Sequence, residues 1–280
     1  MRLHVRDAVT RPSHVVNEDG WVGVEDAIWV MDGASGLSPD RVTDGPSDAA
    51  WLVERARAVI GRQDASGLVD TLATVVRDIA AALSASGDSP AHELPSASLV
   101  AVTLDGPTLE VLALGDCRLI LRSPGGRARV IDDAETLDAL DRSAIEALVA
   151  AQRSTGADLD VARESIRDLL RRNRDLLNRP GGYRALAPGL EVTEVALRRV
   201  PVGTGTTGLL VSDGFYRLVD TFHVLDPDGL MDAVTVSGVG PLLDELRRLE
   251  TNDPEAQRFP RLKRSDDATA VAFEVVEDGQ

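Results

Sequence analysis

One cysteine, one lysine and four histidines are all that the 280 residues offer of thiol, amine and imidazole chemistry. Cys117, alone, cannot form an internal disulfide and cannot supply a thiol-rich metal site. Lys263 has no glycine-rich loop before it, so the settings of a phosphate-loop lysine and of a Schiff-base lysine are both missing. His4, His14, His92 and His223 show no ligand spacing, which argues against zinc. No apolar run reaches the roughly 18 residues of a membrane span, and the opening Met1-Arg2-Leu3-His4-Val5-Arg6-Asp7 lacks the apolar stretch of a signal peptide. The expected location is therefore the cytoplasm, with no membrane as partner. Basic residues are also in deficit, 30 against 46 acidic ones, for a formal net charge of −16. Such a surface repels a phosphate backbone, so nucleic acid is not an expected partner, and surplus carboxylates suit cations.

What remains is an ordinary globular composition, 43% hydrophobic and 27% charged, over a length sufficient for a full core. Ala27 to Met31 is a short apolar run stopped by Asp32-Gly33, and Gly208 to Ser212 is another stopped by Asp213-Gly214. Ala49, Leu52, Val53, Ala56, Val59 and Ile60 recur at helical spacing, as do Leu68, Leu72, Val75, Val76 and Ile79. Ser98–Leu104, Leu109–Leu114 and Leu119–Arg122, separated by Asp105-Gly106-Pro107 and Gly115-Asp116, read as an antiparallel meander. A helical stretch is expected from Ala134 to Asn178, a strand over Val192–Val200, a helix over Pro241–Leu249, and a closing strand over Ala268–Val276 after Asp266-Asp267. Meandering strands and paired helices point to an α+β layered fold rather than alternating βαβ units.

The two Asp-Gly pairs and the Asp266-Asp267 pair all sit at strand ends. Taken singly, each Asp-Gly pair reads better as a plain turn. Together they suggest convergence, and gathered carboxylates repel one another unless a hard cation such as magnesium or manganese neutralises them.

Four ordered blocks give the chain a resemblance, across nearly its whole length, to the metal-dependent serine/threonine protein phosphatases of the PPM (type 2C) family, as a divergent bacterial-type member. They are Asn17-Glu18-Asp19 with Trp29 to Gly36, Ser96 to Val102 with Leu114 to Arg118, Leu210 to Gly214, and Ser265 to Thr269. The resemblance implies a single domain over 1–280 with a variable helical insert at about 134–178. It also implies a central antiparallel β-sandwich flanked by pairs of helices, four layers in all. It further implies a binuclear Mn2+ or Mg2+ site, with Asp32 bridging both ions, the Gly33 carbonyl on one, Asp213 and Asp266 on the other and Asp19 near the second. Asp116 matches the position of a weaker third ion. Asp32 and Asp213 are then the catalytic pair, and the implied reaction is direct hydrolysis of a phosphomonoester. The implied partner is a phosphorylated protein at serine or threonine, with a serine/threonine kinase as its counterpart. A small phosphorylated metabolite as substrate, and an inactive regulatory module on the same fold, remain as alternatives.

Several positions depart from the family pattern. His14 stands where an arginine often grips phosphate, so His14 and Arg11 are the candidate substrate-binding residues there. Ala34, Ser35 and Asp267 also differ from the usual residues. Arg163, Arg167, Arg171 and Arg174 fall at i, i+4, i+8 and i+11, one face of a helix. That face is either solvated or a docking surface for an acidic phosphoprotein, with Arg167 and Arg171 as further substrate-binding candidates. Gly203 to Gly208 fits G-x-G-x-x-G but leads into a strand instead of opening a helix, so no dinucleotide site is expected.

Overall fold

The computed structural model describes residues 1–38, 40–63, 67–84 and 89–278. The strands are β1 (Arg2–Arg11), β2 (Asp19–Val24), β3 (Ala27–Ala34), β4 (Ser96–Asp105), β5 (Thr108–Leu114), β6 (Arg118–Arg122), β7 (Arg129–Ile131), β8 (Leu197–Pro201), β9 (Thr207–Val211) and β10 (Ala268–Val276). The helices are α1 (Asp48–Ile60), α2 (Leu68–Ala82), α3 (Glu135–Thr155), α4 (Leu159–Ser165), α5 (Arg167–Arg174), α6 (Asp213–Asp220), α7 (Pro227–Ser237) and α8 (Val239–Asn252). Two antiparallel five-stranded sheets, ordered β1-β10-β9-β6-β7 and β2-β3-β4-β5-β8, form an α+β sandwich.

Period-two burial builds the layers. In β3, Ile28 and Val30 enter the core between the sheets with Val100, Val111, Leu210 and Val271. Trp29 and Met31 point the other way, onto Leu52, Val53, Leu72 and Ile79 of α1 and α2. Ser47 caps α1 by accepting from the Ala50 N–H at 3.1 Å, which fixes where that helix starts. On the opposite sheet, Leu209, Val211, Ala268 and Ala270 pack against Phe215, Leu230, Leu243 and Leu246 of α6 to α8. Helices therefore cover both outer faces. Among the described residues no helix is long and apolar enough to cross a membrane.

Four expectations change. The three-stranded meander does not form, because β6 leaves β5 and pairs with β9 and β7 of the other sheet. Gly115 makes that crossing with φ +70°, and a Cβ there would lie 2.2 Å from Ser98 Oγ. Of the Val192–Val200 segment only residues 197–200 are strand, the start of β8. Val192 and Val195 instead turn onto the α2 side, through a 3-10 turn at Val192–Glu194. The helical stretch before Asn178 is three helices. Gly156 ends α3 at φ +66° and Asp158 starts α4 by accepting from the Val161 N–H at 2.9 Å. Lastly, Asp213-Gly214 is not a turn, since Asp213 opens α6.

Candidate metal centre

Sheet register sets the first pair of carboxylates. Asp19 of β2 lies directly opposite Asp32 of β3, and Asp32 directly opposite Ser98 of β4. Such partners share one face of the sheet with Cβ atoms roughly 4.5–5.5 Å apart. By alternation from Ile28 and Val30, that face is the one turned toward the second sheet. From the second sheet, β9 ends at Val211, Ser212 follows as the residue before α6, which begins at Asp213, and Asp266-Asp267 precedes β10. Asp116 sits at the crossing between sheets, its N–H 3.3 Å from Ser98 Oγ.

The glycines of the Asp-Gly pairs are required by neighbours. A Cβ on Gly33 would stand 2.5 Å from the Glu18 carbonyl oxygen, and one on Gly214 would stand 1.9 Å from the Asp267 carbonyl oxygen. Each glycine thus lets another acidic segment press against its own. Gly36 serves the same end, since a Cβ there would meet the Glu93 carbonyl at 2.2 Å. The segment Asp32 to Gly36 is thereby seated under the 91–94 turn.

Asp267 explains itself in the same way. Its Oδ1 accepts from the Ser13 N–H and hydroxyl at 2.7 and 2.9 Å, and its Oδ2 accepts from the Glu18 N–H at 2.5 Å. A carboxylate here ties the loop before Asp19 to the end of the other sheet. Asparagine has one accepting oxygen, and its amide would face an N–H. Asp267→Asn is therefore expected to destabilise the protein by about 1–3 kcal/mol, read as a lowered urea midpoint. An unchanged midpoint would show that the loop is held by other contacts.

Burial and crowding shape the electrostatics. The Asp32 carboxyl is held well above the usual range by burial, then by the charges of Asp19, Asp213 and Asp116, and by a hydrogen bond to Asp213. Asp19, 7% exposed, is raised likewise by burial and by Asp266, Asp213 and Asp267, with Ser212 pulling the other way. Its Oδ2 is buried with no hydrogen-bond partner. Asp116 is pushed up to about 6, first by burial and then by Asp213. Asp266 differs: burial opposes its ionisation, but Lys263 and Arg217 outweigh it and hold the carboxyl low.

These groups meet at a cavity of about 620 Å³ walled by Asp32, Gly33, Asp116, Asp213 and Asp266. Asp19 is buried beside Asp32 and is not part of the wall. Helix α3 forms another side through Asp138, Asp141, Arg142 and Ile145. Asp141 is raised to about 7, by burial and by Asp116 and Asp213.

The residues expected to bind substrate lie elsewhere. Arg11 pairs with Asp244 at 2.6 Å on α8, and His14 is exposed. Arg163 is on α4 and the other three arginines on α5, so the row does not share one helix. Arg167 donates to the Leu37 carbonyl at 3.0 Å and pairs with Glu164. Arg171 stands 3.6 Å from Asp168. None of the four candidates is on the cavity wall.

The cations that do line it are Arg118, Arg142, Arg174, Arg217, Arg261 and Lys263. Arg118 is buried over the Tyr216 ring, donates to both Asp138 oxygens at 2.8 Å, and donates to the Asp116 carbonyl at 2.9 Å. It thereby joins α3 and α6 to the Asp116 turn. Arg174 donates to the Ala34 carbonyl at 2.7 Å, two residues past Asp32. Of these, Arg118 falls within a motif block, Arg174 within the arginine row, and Lys263 stands out as the sole lysine, whereas nothing local distinguishes Arg142, Arg217 and Arg261 from surface arginines.

The donor chemistry fits a hard divalent cation at Asp19, Asp32, Asp116 and Asp213. All are oxygen donors, they repel one another, and Asp19 keeps an unpartnered buried oxygen. Among the described residues, no three acidic, histidine or cysteine side chains are arranged to hold an ion as they stand. The oxygens of Asp266 are taken by Lys263 and Arg217.

No protein-family model matches the chain, and no curated protein matches its sequence. Solved structures match its fold. The catalytic domain of the serine/threonine phosphatase PstP, in complex with two manganese ions, is 20% identical over 98% of this chain and 99% of that one, with TM-score 0.57. The serine/threonine phosphatase PstP/Ppp of Mycobacterium tuberculosis is 19% identical over 99% and 100%, TM-score 0.59. PppA, a regulatory component of the type VI secretion system in Pseudomonas aeruginosa, is 17% identical over 98% of each chain, TM-score 0.57. At these identities the likeness shows the two-sheet sandwich that this chain shares with PPM-type phosphatases.

Proposed function

We propose that this chain is a divergent PPM-type enzyme, a metal-dependent phosphatase that hydrolyses phosphoserine and phosphothreonine in proteins. The observation that carries the reading is the convergence at one cavity of Asp32 from one sheet, Asp213 and Asp266 from the end of the other and Asp116 from the crossing between them, with Asp19 buried directly opposite Asp32. The shared fold supports it. In this reading residues 1–280 act as one catalytic domain, with α3 to α5 as its variable helical part.

Asp32, Gly33, Asp213, Asp19 and Asp116 are the residues that would hold Mn2+ or Mg2+. When bound, the metal supplies a nucleophile at neutral pH and positive charge facing the phosphoryl oxygens, so no covalent phosphoenzyme is needed. The chain's own part is placement. Asp32 and Asp213, one from each sheet, aim their carboxylates at the same space, fixed by the close approaches at Gly33 and Gly214. Arg118 keeps Asp116 and α3 in register with α6. Arg142 and Arg174 place cationic side chains on the wall, in the role expected of Arg11 and His14.

A second reading, the same chemistry on a small phosphorylated metabolite, is favoured by the cavity itself. Its volume of about 620 Å³ lies within the ordinary range for small-ligand sites, and α3 forms one of its walls. Phosphate release from a panel of phosphopeptides and phosphorylated metabolites, with manganese or magnesium supplied, separates the two. Preference for phosphopeptides is expected. Turnover confined to metabolites would replace the substrate class, and no turnover on any member would leave an inactive module.

A further inference from the structure

Lys263 is the only lysine in 280 residues, and it lies at the acidic cavity. Its Nζ is 2.8 Å from Asp266 Oδ1, and Arg217 Nη2 is 2.7 Å from Asp266 Oδ2. Both oxygens of one expected metal ligand therefore face cations of the chain itself. The two cations are unlike. Arg217 is buried, anchored also to Glu250 at 3.2 Å, and cannot leave. The Lys263 side chain is 44% exposed, on the loop before β10, and can swing away. A lysine ammonium is a compact, strongly hydrated point charge with three donors, closer to a small metal ion than a guanidinium is.

Resting on the metal-dependent reading above, we propose that Lys263 is a tethered cation standing in for one divalent ion, so that this chain binds a single ion tightly. With Lys263 and Arg217 in place, one divalent ion brings the five carboxylates of Asp19, Asp32, Asp116, Asp213 and Asp266 to within one charge of neutrality. A second ion beside Asp266 meets the lysine charge and finds both carboxylate oxygens engaged. The ion that binds is held by Asp19, Asp32, Asp116 and Asp213, whose oxygens Lys263 and Arg217 do not take. A plain loop-anchoring ion pair, the competing explanation, gives Lys263 no influence on how many ions bind.

The test is Mn2+ binding to metal-stripped protein by isothermal titration calorimetry, with bound manganese counted after equilibrium dialysis. Wild type is expected to take up one ion per chain. Lys263→Met is expected to take up two, or to bind at least about tenfold more tightly, because a facing unit charge has gone. Lys263→Arg, which keeps the charge, is expected to take up one ion like wild type and checks that the loop tolerates substitution. Thermal melts of the metal-free proteins confirm that each is folded. Two tightly bound ions in wild type, or the same isotherm for wild type and Lys263→Met, would overturn the role of Lys263 while leaving the phosphatase reading standing. No manganese on either protein would overturn that reading and this proposal with it.

Discussion

Asp32→Asn and Asp213→Asn are each expected to lower kcat for phosphate release by at least roughly 100-fold, since metal and electrostatic effects in such sites supply several kcal/mol. The two residues reach the cavity from different sheets, Asp32 from the end of β3 and Asp213 from the first position of α6. Neither can replace the other. Asparagine keeps the shape of each side chain and removes only its charge, so packing around Met31 and Phe215 is undisturbed. That charge is one which burial and the neighbouring aspartates already oppose at Asp32. The metal-free Asp32→Asn protein is therefore expected to melt at or above the wild-type temperature. Rates for both variants near wild type, with manganese present, would show that the chemistry lies elsewhere.

Gly214→Ala is expected to destabilise the protein severely for a single added methyl group. Its Cβ would lie 1.9 Å from the Asp267 carbonyl oxygen and 3.3 Å from Asp266 Cβ. The atom in the way is backbone, not the tip of a flexible side chain. It cannot yield without moving Asp267, which holds Ser13 and Glu18, or Thr269, whose N–H donates to Ser212 Oγ at 3.0 Å. Overpacking of this kind costs about 3 kcal/mol, or roughly 6–12 °C in melting temperature for a chain of this size. The site suffers with the fold, since the strain falls between Asp213 and Asp266. Gly189→Ala, at a turn where a Cβ meets nothing within 4 Å, controls for a general effect of removing glycine, although its φ of +84° carries a smaller strain of its own. Melting curves check both; equal shifts would show that the close approach at Gly214 is not rigid.

What could be read in the sequence followed from local pattern. The apolar runs of β3 and β9, the paired helices α1 and α2, and the closing strand β10 each carry enough periodicity to be seen alone. The same is true of the carboxylates at their ends. Strand β1 was not legible because it is an edge strand, paired only with β10, and its burial barely alternates. The departure of β6 to the second sheet leaves no local trace, since period-two alternation is the same in either sheet. Helix α6 was hidden because Asp-Gly is a turn signal, and here the glycine answers to the Asp267 backbone, about fifty residues away in sequence. Arginine row and cavity cations fail for a related reason. An arginine that reaches back to Leu37 or Ala34 looks, in sequence, like one on a solvated face. The partner of Lys263, only three residues on, was in plain view, but nothing in the spacing said that Asp266 would turn its oxygens to the chain's own cations.

The measurement that bears most directly on the metal-dependent site is phosphate release from a small aryl phosphate by chelator-stripped protein, before and after manganese is restored, with Asp32→Asn run alongside. The expected result is no turnover without metal, recovery in wild type on adding manganese, and none in Asp32→Asn. Full turnover by stripped wild-type protein, or equal recovery in the variant, would contradict a phosphatase built on this cluster of aspartates.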